Sequence, residues 1–403
     1  MPQWARIEGH VTTPAGFQGA ATHAGIKKNG ALDLALIYCE REAAAAGVFT
    51  TNRAAAAPVV VSRRSLRTSG GRVRAVVVNS GNANAATGRA GERLAEETTR
   101  VAAKLLGVPP GQVLVASTGV IGVPIDPALL TGALPNLVNG LSAANGASVA
   151  RAILTTDAFP KVYVLKCAVD GKPVQLAGIA KGAGMIHPRM ATMLSFITTD
   201  LAVAPAELRR MLRAAVNESF NRISVDGDTS TNDTVILLAS GLSGRTVRGG
   251  TSTAKLFQKG LTEVCQALAQ MIVKDGEGAT KLVSVEIAGA ATAADAERAA
   301  RAIANSPLVK TALGGGDPNW GRIFCAAGYS GARLDPGKVD ISLNGLLLCR
   351  KGVRADFAES AARNELSKHA VSLRVDLHQG KAAARMWTCD FTHDYIRINS
   401  SRS

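Results

Sequence analysis

The stretch KGAGMIHPRMATMLSFITTD, Lys181 to Asp200, leads from a glycine-rich turn into the apolar run MLSFITTD, and sets Thr192 directly after the small residue Ala191 at the junction. The run reads as a buried strand, so the turn delivers Thr192 to the start of a strand. Read by itself, that is the common meaning of such a dipeptide, because Thr favours strands. The other reading is chemical. A break at Ala191-Thr192 gives Thr192 a free α-amino group beside its own hydroxyl, a nucleophile with a built-in base. An α-amino group titrates near ~8, close enough to working pH to take a proton and return it.

Outward from this junction, strand and helix patterns alternate. On its N-terminal side, VYVLKCAVDGKPVQLAGIAKG is two strands about Asp170-Gly171, a hairpin whose second strand carries Lys181 to the turn. Arg72 to Asn79 is a buried strand and Gly91 to Gly107 an amphipathic helix closed by a glycine. Gln112 to Ser117 is a short strand that delivers STG to a loop, and Ala147 to Leu154 is helical and stops at TTD. On the C-terminal side, Pro205 opens a helix whose period runs from Glu207 to Phe220, and Thr234 to Ala239 is a buried strand. Ala254 to Lys274 is a long amphipathic helix, Val283 to Ile287 a strand and Ala293 to Asn305 an Ala-rich helix. Val339 to Cys349 is a strand pair about Asn344-Gly345. The pattern predicts an α/β fold of stacked mixed sheets covered by helices, with no internal repeat and no low-complexity linker.

Composition narrows the function classes. With 403 residues at 47% hydrophobic content, the chain can bury a large core. No apolar run approaches the ~18 residues of a membrane span, and MPQWARIEGH lacks the apolar centre of a signal peptide, so a cytoplasmic location is expected. The six cysteines, Cys39, Cys167, Cys265, Cys325, Cys349 and Cys389, stand singly and read as reduced core residues, forming neither disulfides nor a metal site. The formal charge of +15 raises nucleic acid as a partner, but the basic residues are dispersed and aromatics are only 4%, which speaks against it. Positive potential instead draws in anionic small molecules. There is no GxSxG, HExxH or GxxxxGK[ST], and Asp317 and Pro318 deprive Gly314 to Gly321 of the run of N–H donors a phosphate loop needs. That segment reads as a structural turn, and His187, beside Pro188, as a residue that shapes the cleavage turn. No metal and no cofactor are expected.

Eight ordered blocks go further: SGNANAATG (Ser80 to Gly88), STGVIG (Ser117 to Gly122), TTD (Thr155 to Asp157), Lys181 to Asp200, VDGDTSTNDT (Val225 to Thr234), KDGEGATK (Lys274 to Lys281), GDPNWGR (Gly316 to Arg322) and DYIRIN (Asp394 to Asn399). Together they make the chain resemble, over essentially its whole length, the ornithine acetyltransferases, also called glutamate N-acetyltransferases. The resemblance implies an α/β sandwich that cleaves itself between Ala191 and Thr192 into two intertwined chains, 1–191 and 192–403. It implies that Thr192 is the nucleophile and that Thr118 and Gly119 form the oxyanion hole. The matching substrate-contact positions are Thr155, Lys181, Thr192, Glu277 and Asn399, with the register of Thr155 against Thr156 open by one residue. Lys181 suits a substrate carboxylate and Glu277 a substrate ammonium, since opposite charges orient as well as bind. Where the family has a Thr or Ser five residues beyond the Asn, Ser403 stands four beyond Asn399 and is the candidate for that contact.

The implied activity is ping-pong transfer of acetyl from N2-acetylornithine to glutamate through an acetyl-threonine, giving ornithine and N-acetylglutamate for arginine synthesis. Acetyl-CoA is a further acetyl donor in one variant of the family, and a heterotetramer of the two chains is the implied assembly. Two other readings fit the residues: an N-terminal-nucleophile amidohydrolase or aminopeptidase that passes the acyl group to water, and a basic binding protein without catalysis.

Overall fold

The computed structural model describes residues 3–187 and 193–400, and the chain divides into two compact units. The first comprises the described residues within Met1–Met185, Arg189–Asn221 and Asp228–Ile272. Its framework is one nine-stranded mixed sheet. The order runs Ala5–Ile7, Lys161–Val169, Lys172–Lys181, Leu194–Thr199, Thr234–Ala239, Leu34–Phe49, Arg72–Asn82, Val113–Val120, with Phe17–Thr22 added beside Leu34–Phe49.

The 16-residue strand Leu34–Phe49 turns this sheet into a sandwich. Its first part, Leu34 to Cys39, pairs with Phe17–Thr22, and its last part, Ala44 to Phe49, pairs with Thr234–Ala239. Between them the register to Arg72–Asn82 slips between Tyr38 and Ala43, the kind of irregularity that bends a strand. The two halves of the sheet thereby face one another. Val76, Val78 and Leu114 from one half meet Ile179, Phe196 and Ile236 from the other in a single core. Alternate residues of the same strands, Leu36, Val77 and Val115, face outward, where Val61, Leu94 and Leu134 from the helices Ala57–Thr68, Gly88–Leu106 and Pro127–Asn139 cover them. Strands buried on both faces read as continuous apolar runs, which is how VRAVVV at Val73 to Val78 reads. Against the other half, the helix Ser252–Lys274 seats on Gly178, where a Cβ would lie 2.7 Å from Val264 and 2.8 Å from Leu268.

The second unit comprises the described residues within Ile186–Pro188, Arg222–Gly227 and Val273–Ser403. It holds a seven-stranded mixed sheet in the order Ile223–Ser224, Ala382–Cys389, Leu282–Ala290, Ala370–Asp376, Asp340–Leu343, Leu346–Arg350, Val353–Arg354. Val283, Val285 and Ile287 of its central strand pack on Ala296, Ala299 and Ile303 of the helix Ala293–Asn305, and on Ile323 of the helix Trp320–Gly328. The α/β architecture of mixed sheets covered by helices is therefore the one the sequence pattern predicts.

Three local expectations change. Cys325 is exposed, so only five of the six free cysteines are core residues. The turn read at Gly314 to Gly321 is largely helix capping: the helix Pro307–Gly314 ends in it, and Asn319 accepts the Arg322 N–H to start Trp320–Gly328. Thr118 and Gly119 lie within the strand Val113–Val120, not in a loop beyond it. Among the described residues no helix is long and apolar enough to cross a membrane, and no group of three or more His, Cys, Asp or Glu could hold a metal ion.

Candidate active site

In the first unit, the hairpin at Asp170-Gly171 takes φ of 47° and 75°, the left-handed pair that a two-residue turn requires, and so fixes the register of Lys161–Val169 against Lys172–Lys181. The second strand then ends on Lys181, paired with Leu194 at the start of the strand that follows the Ala191-Thr192 junction. Ala191 and Thr192 themselves lie outside the described residues. Lys181 is buried, and its ammonium donates to Thr118 Oγ1 at 3.1 Å. Lys181, expected to bind substrate, and Thr118, expected in the oxyanion hole, thus meet in the first unit.

Gly119 is there for a steric reason. Its φ is 135°, and a Cβ would fall 2.2 Å from the carbonyl carbon of Gly81 and 2.4 Å from the Asn82 nitrogen. Arg72–Asn82 and Val113–Val120 run parallel, and their register shifts at Gly81 and Asn82. The bare Gly119 lets the backbones close to a distance that a side chain there would forbid.

Behind Lys181, Asp157 collects the charges. It accepts from Lys161 Nζ at 2.7 Å, from the Gly182 N–H at 2.6 Å and from the Thr155 N–H at 3.0 Å. Both side chains of the Lys161–Asp157 pair are fully buried. Burial pushes the Asp157 carboxyl up, but Lys181, Lys161 and the hydrogen bonds outweigh it and hold the group well below the usual carboxylate range. Thr155 is therefore tied to Gly182 through Asp157. Lys27 stands alongside, donating to Leu154 O at 2.7 Å and Leu32 O at 2.9 Å, and burial lowers its pKa.

On the far side of the junction, Met193 is held at both ends. Its N–H donates to Asp233 Oδ1 at 3.0 Å, and its carbonyl accepts from the Thr234 N–H. Asp233 is fully buried, and among the described residues its Oδ2 has no hydrogen-bond partner. Burial drives its pKa well up, against the pull of the Met193 amide, Lys181 and the Thr50 hydroxyl. The adjacent Asn232 donates to Ala83 O at 2.6 Å and Ser117 O at 2.8 Å. Three of the sequence blocks, SGNANAATG, STGVIG and VDGDTSTNDT, are joined by that one amide.

In the second unit, Glu277 is buried and accepts from Asn399 Nδ2 at 2.9 Å. The helix His393–Ser400 presents Asn399 by seating its first turn on Gly278, where a Cβ would come 2.4 Å from the Tyr395 nitrogen. Thr392 Oγ1 donates to Gly278 O at 2.7 Å, and Asp390 accepts from the N–H groups of Thr280 and Lys281 at 2.8 and 2.9 Å. KDGEGATK and DYIRIN are thus one structure. Thr118, Gly119, Thr155 and Lys181 assemble in the first unit, and Glu277 and Asn399 in the second. Ser403 lies outside the described residues.

Residues 18–403 match the model of the ArgJ family. The chain belongs to that family. The arginine biosynthesis bifunctional protein ArgJ of Symbiobacterium thermophilum is 50% identical over 398 residues, 98% of this chain and 98% of that protein. That of Geobacter sulfurreducens is 50% identical over 387 residues, 96% of this chain and 98% of that protein. A crystal structure of the arginine biosynthesis bifunctional protein argJ of Bacillus halodurans is 44% identical with a TM-score of 0.51, and it covers 52% of this chain and 100% of that one.

For an ArgJ-family chain, the sequence blocks carry more structure than substrate contact alone. Asp157, Lys161, Asn232 and Asp233 were not singled out from sequence, although three of them stand inside quoted blocks. The available signal was a run of polar residues, TTD and TSTND, beside strands with apolar cores. Such runs are normally exposed, and only the fold shows that Asn232, Asp233 and the side chain of Asp157 are buried.

Proposed function

We propose that the chain transfers acetyl from N2-acetylornithine to glutamate through an acetyl ester of Thr192, releasing ornithine and then N-acetylglutamate. Membership of the ArgJ family supports this reading, and the single observation that carries it is the hydrogen bond from Lys181 to Thr118. An ammonium can only donate, so Thr118 Oγ1 accepts, and its own hydrogen is turned away from Lys181. The hydroxyl is thereby kept as a donor for the oxygen that becomes negative in the tetrahedral intermediate, next to the Gly119 backbone. The Thr192 hydroxyl attacks the acetamide carbonyl, the α-amino group takes its proton, and the same proton leaves with the departing amine. Ornithine departs, glutamate enters, and the steps run in reverse. Lys181 draws the substrate carboxylate and Glu277 its ammonium, with Thr155 and Asn399 completing the contacts.

Maturation by cleavage at Ala191-Thr192 supplies that α-amino group and leaves chains 1–191 and 192–403. The fully covered Bacillus halodurans chain spans 52% of this one, a length close to that of 192–403, which supports cleavage of the chain near its middle. The bifunctional name of the relatives supports acetyl-CoA as a second acetyl donor to glutamate. Two copies of each chain form a heterotetramer in this reading, which native mass spectrometry tests. Intact mass should show two pieces for the wild type and one for Thr192→Ala, with ornithine release from N2-acetylornithine dependent on glutamate and lost in the variant. Release that ignores glutamate would make the protein a hydrolase, and an uncut wild-type chain would remove the threonine mechanism.

A further inference from the structure

Lys27 belongs to none of the sequence blocks, yet it is packed against one of them and bonded to the residue that precedes another. It lies in the loop between Phe17–Thr22 and Leu34–Phe49, which is folded around the carboxyl of Asp33. That carboxyl is fully buried and accepts from the N–H groups of Ala24 at 2.5 Å, Ile26 at 2.7 Å and Lys27 at 2.9 Å. The backbone that carries Lys27 is thus fixed independently of its side chain. The stem of Lys27 rests on Gly81, where a Cβ would come 3.0 Å from Lys27 Cγ and 3.2 Å from Ile26 Cγ2. Gly81 is also the residue whose carbonyl carbon would lie 2.2 Å from a Cβ on Gly119. The loop is therefore packed on the strand end against which the expected oxyanion glycine is seated.

The ammonium of Lys27 reaches further. It donates to Leu154 O at 2.7 Å and back to Leu32 O, in its own loop, at 2.9 Å. Leu154 immediately precedes Thr155, whose N–H donates to Asp157. Lysine has three donors on a charged group, and charge-assisted hydrogen bonds are the strong ones. Lys181 and Asp157 also act on the Lys27 charge through space, so all three belong to one charge cluster.

We infer that Lys27 is a positioning residue for acetyl transfer: its ammonium holds the Leu154 carbonyl, and with it Thr155, at a fixed distance from the contact between Gly81 and Gly119. The inference rests on the reading of Thr118 and Gly119 as oxyanion donors and of Thr155 as a substrate contact. Lys27 keeps the two in register: the substrate held from the Thr155 side, and the donors aimed at its acetamide oxygen from the Gly119 side. Misplacement by about 1 Å costs a reaction on the order of 10²-fold, so the loss of one such tether is large enough to measure.

The experiment compares wild type, Lys27→Met, Lys27→Arg and Thr192→Ala in glutamate-dependent release of ornithine from N2-acetylornithine, with thermal melts of each. Met keeps a stem on Gly81 and loses the donors, whereas Arg keeps the donors. Values of kcat are taken per cleaved chain, counted by intact mass, and a folded chain that stays uncut counts as inactive. Lys27→Met should lower kcat about 100-fold while KM for either substrate changes less than about threefold, and Lys27→Arg should recover about tenfold of that loss. A kcat for Lys27→Met close to that of wild type overturns the inference. A rise in KM alone also overturns it, since Lys27 would then be a binding group. Where either variant melts lower, kcat is read at a temperature at which it is as folded as wild type, and Lys27→Arg as slow there as Lys27→Met overturns the inference too. Glutamate-dependent release by Thr192→Ala removes the underlying reading instead, whatever Lys27→Met does.

Discussion

The two units hold their polar residues by different physics. In the first, Lys181, Asp157 and Lys161 are buried together, each charge compensated by the next, at the ends of strands that cannot shift without breaking a sheet. In the second, the buried Glu277 is met by Asn399, an exposed residue near the end of an eight-residue helix. A buried charge that loses its partner has no water to turn to, whereas an exposed amide such as that of Asn399 does. The first arrangement is expected to be rigid and costly to break. The second is expected to adjust, as the proposed contact with successive substrates requires.

The comparison breaks most sharply at Asp157. Asp157→Asn leaves Lys161 and Lys181 without their carboxylate and should destabilise the protein by about 3–5 kcal/mol, read as a fall in urea midpoint or Tm. The pH dependence has a definite sign. Because the folded-state pKa of Asp157 is depressed, its contribution is fully present above the unfolded value near ~3.9 and is lost as pH falls below it, so wild type should lose an increment of stability in acid that Asp157→Asn lacks. A variant as stable as wild type at pH 7 would show that the first unit is not held by charge.

Next in size is Gly119→Ala. The added methyl meets the Gly81 backbone, so the strand ends must part, and a displaced oxyanion donor should lower kcat by about 10²–10³ with less effect on KM. Unchanged kcat would move the oxyanion site elsewhere. The smallest effect is expected at Asn399→Ala. It removes one hydrogen bond to Glu277 at an exposed position, so stability should change by about 1 kcal/mol or less, while KM for N2-acetylornithine rises about tenfold, the equivalent of one such bond. A loss of stability comparable to that of Asp157→Asn would erase the distinction between the units.

Elements with a strong repeat were legible in the chain. Thr234–Ala239 and Ala293–Asn305 fall at the expected residues, and the helix ending at Leu106 is closed by Gly107 at φ 66°, as its glycine implies. The helices Ala57–Thr68 and Pro127–Asn139 were not read, because each announces itself through a first-turn proline and, in the second, the Asp126 cap, while its apolar positions are small or interrupted. Trp320–Gly328 was hidden behind a segment whose glycines and proline look like loop. At the site, Thr118 and Lys181 could be named by resemblance. Asp157 and Asp233 could not be given their tasks, because Gly182 lies 25 residues beyond Asp157 and Met193 lies 40 residues before Asp233.

By itself, the sequence determined the α/β class, the order of the main elements and the set of blocks that place the chain in its family, because periodicity and short polar signatures act locally. Only the tertiary structure decided that Lys181 donates to Thr118, that Gly119 has no room for a side chain against Gly81, and that the Asp157 carboxyl is held below the usual carboxylate range while burial pushes that of Asp233 up. Two aspartates that are alike in sequence differ because one is buried beside lysines and the other beside an amide and a hydroxyl. The protonation of a carboxyl is set by what the fold packs around it, and no stretch of chain carries that information alone.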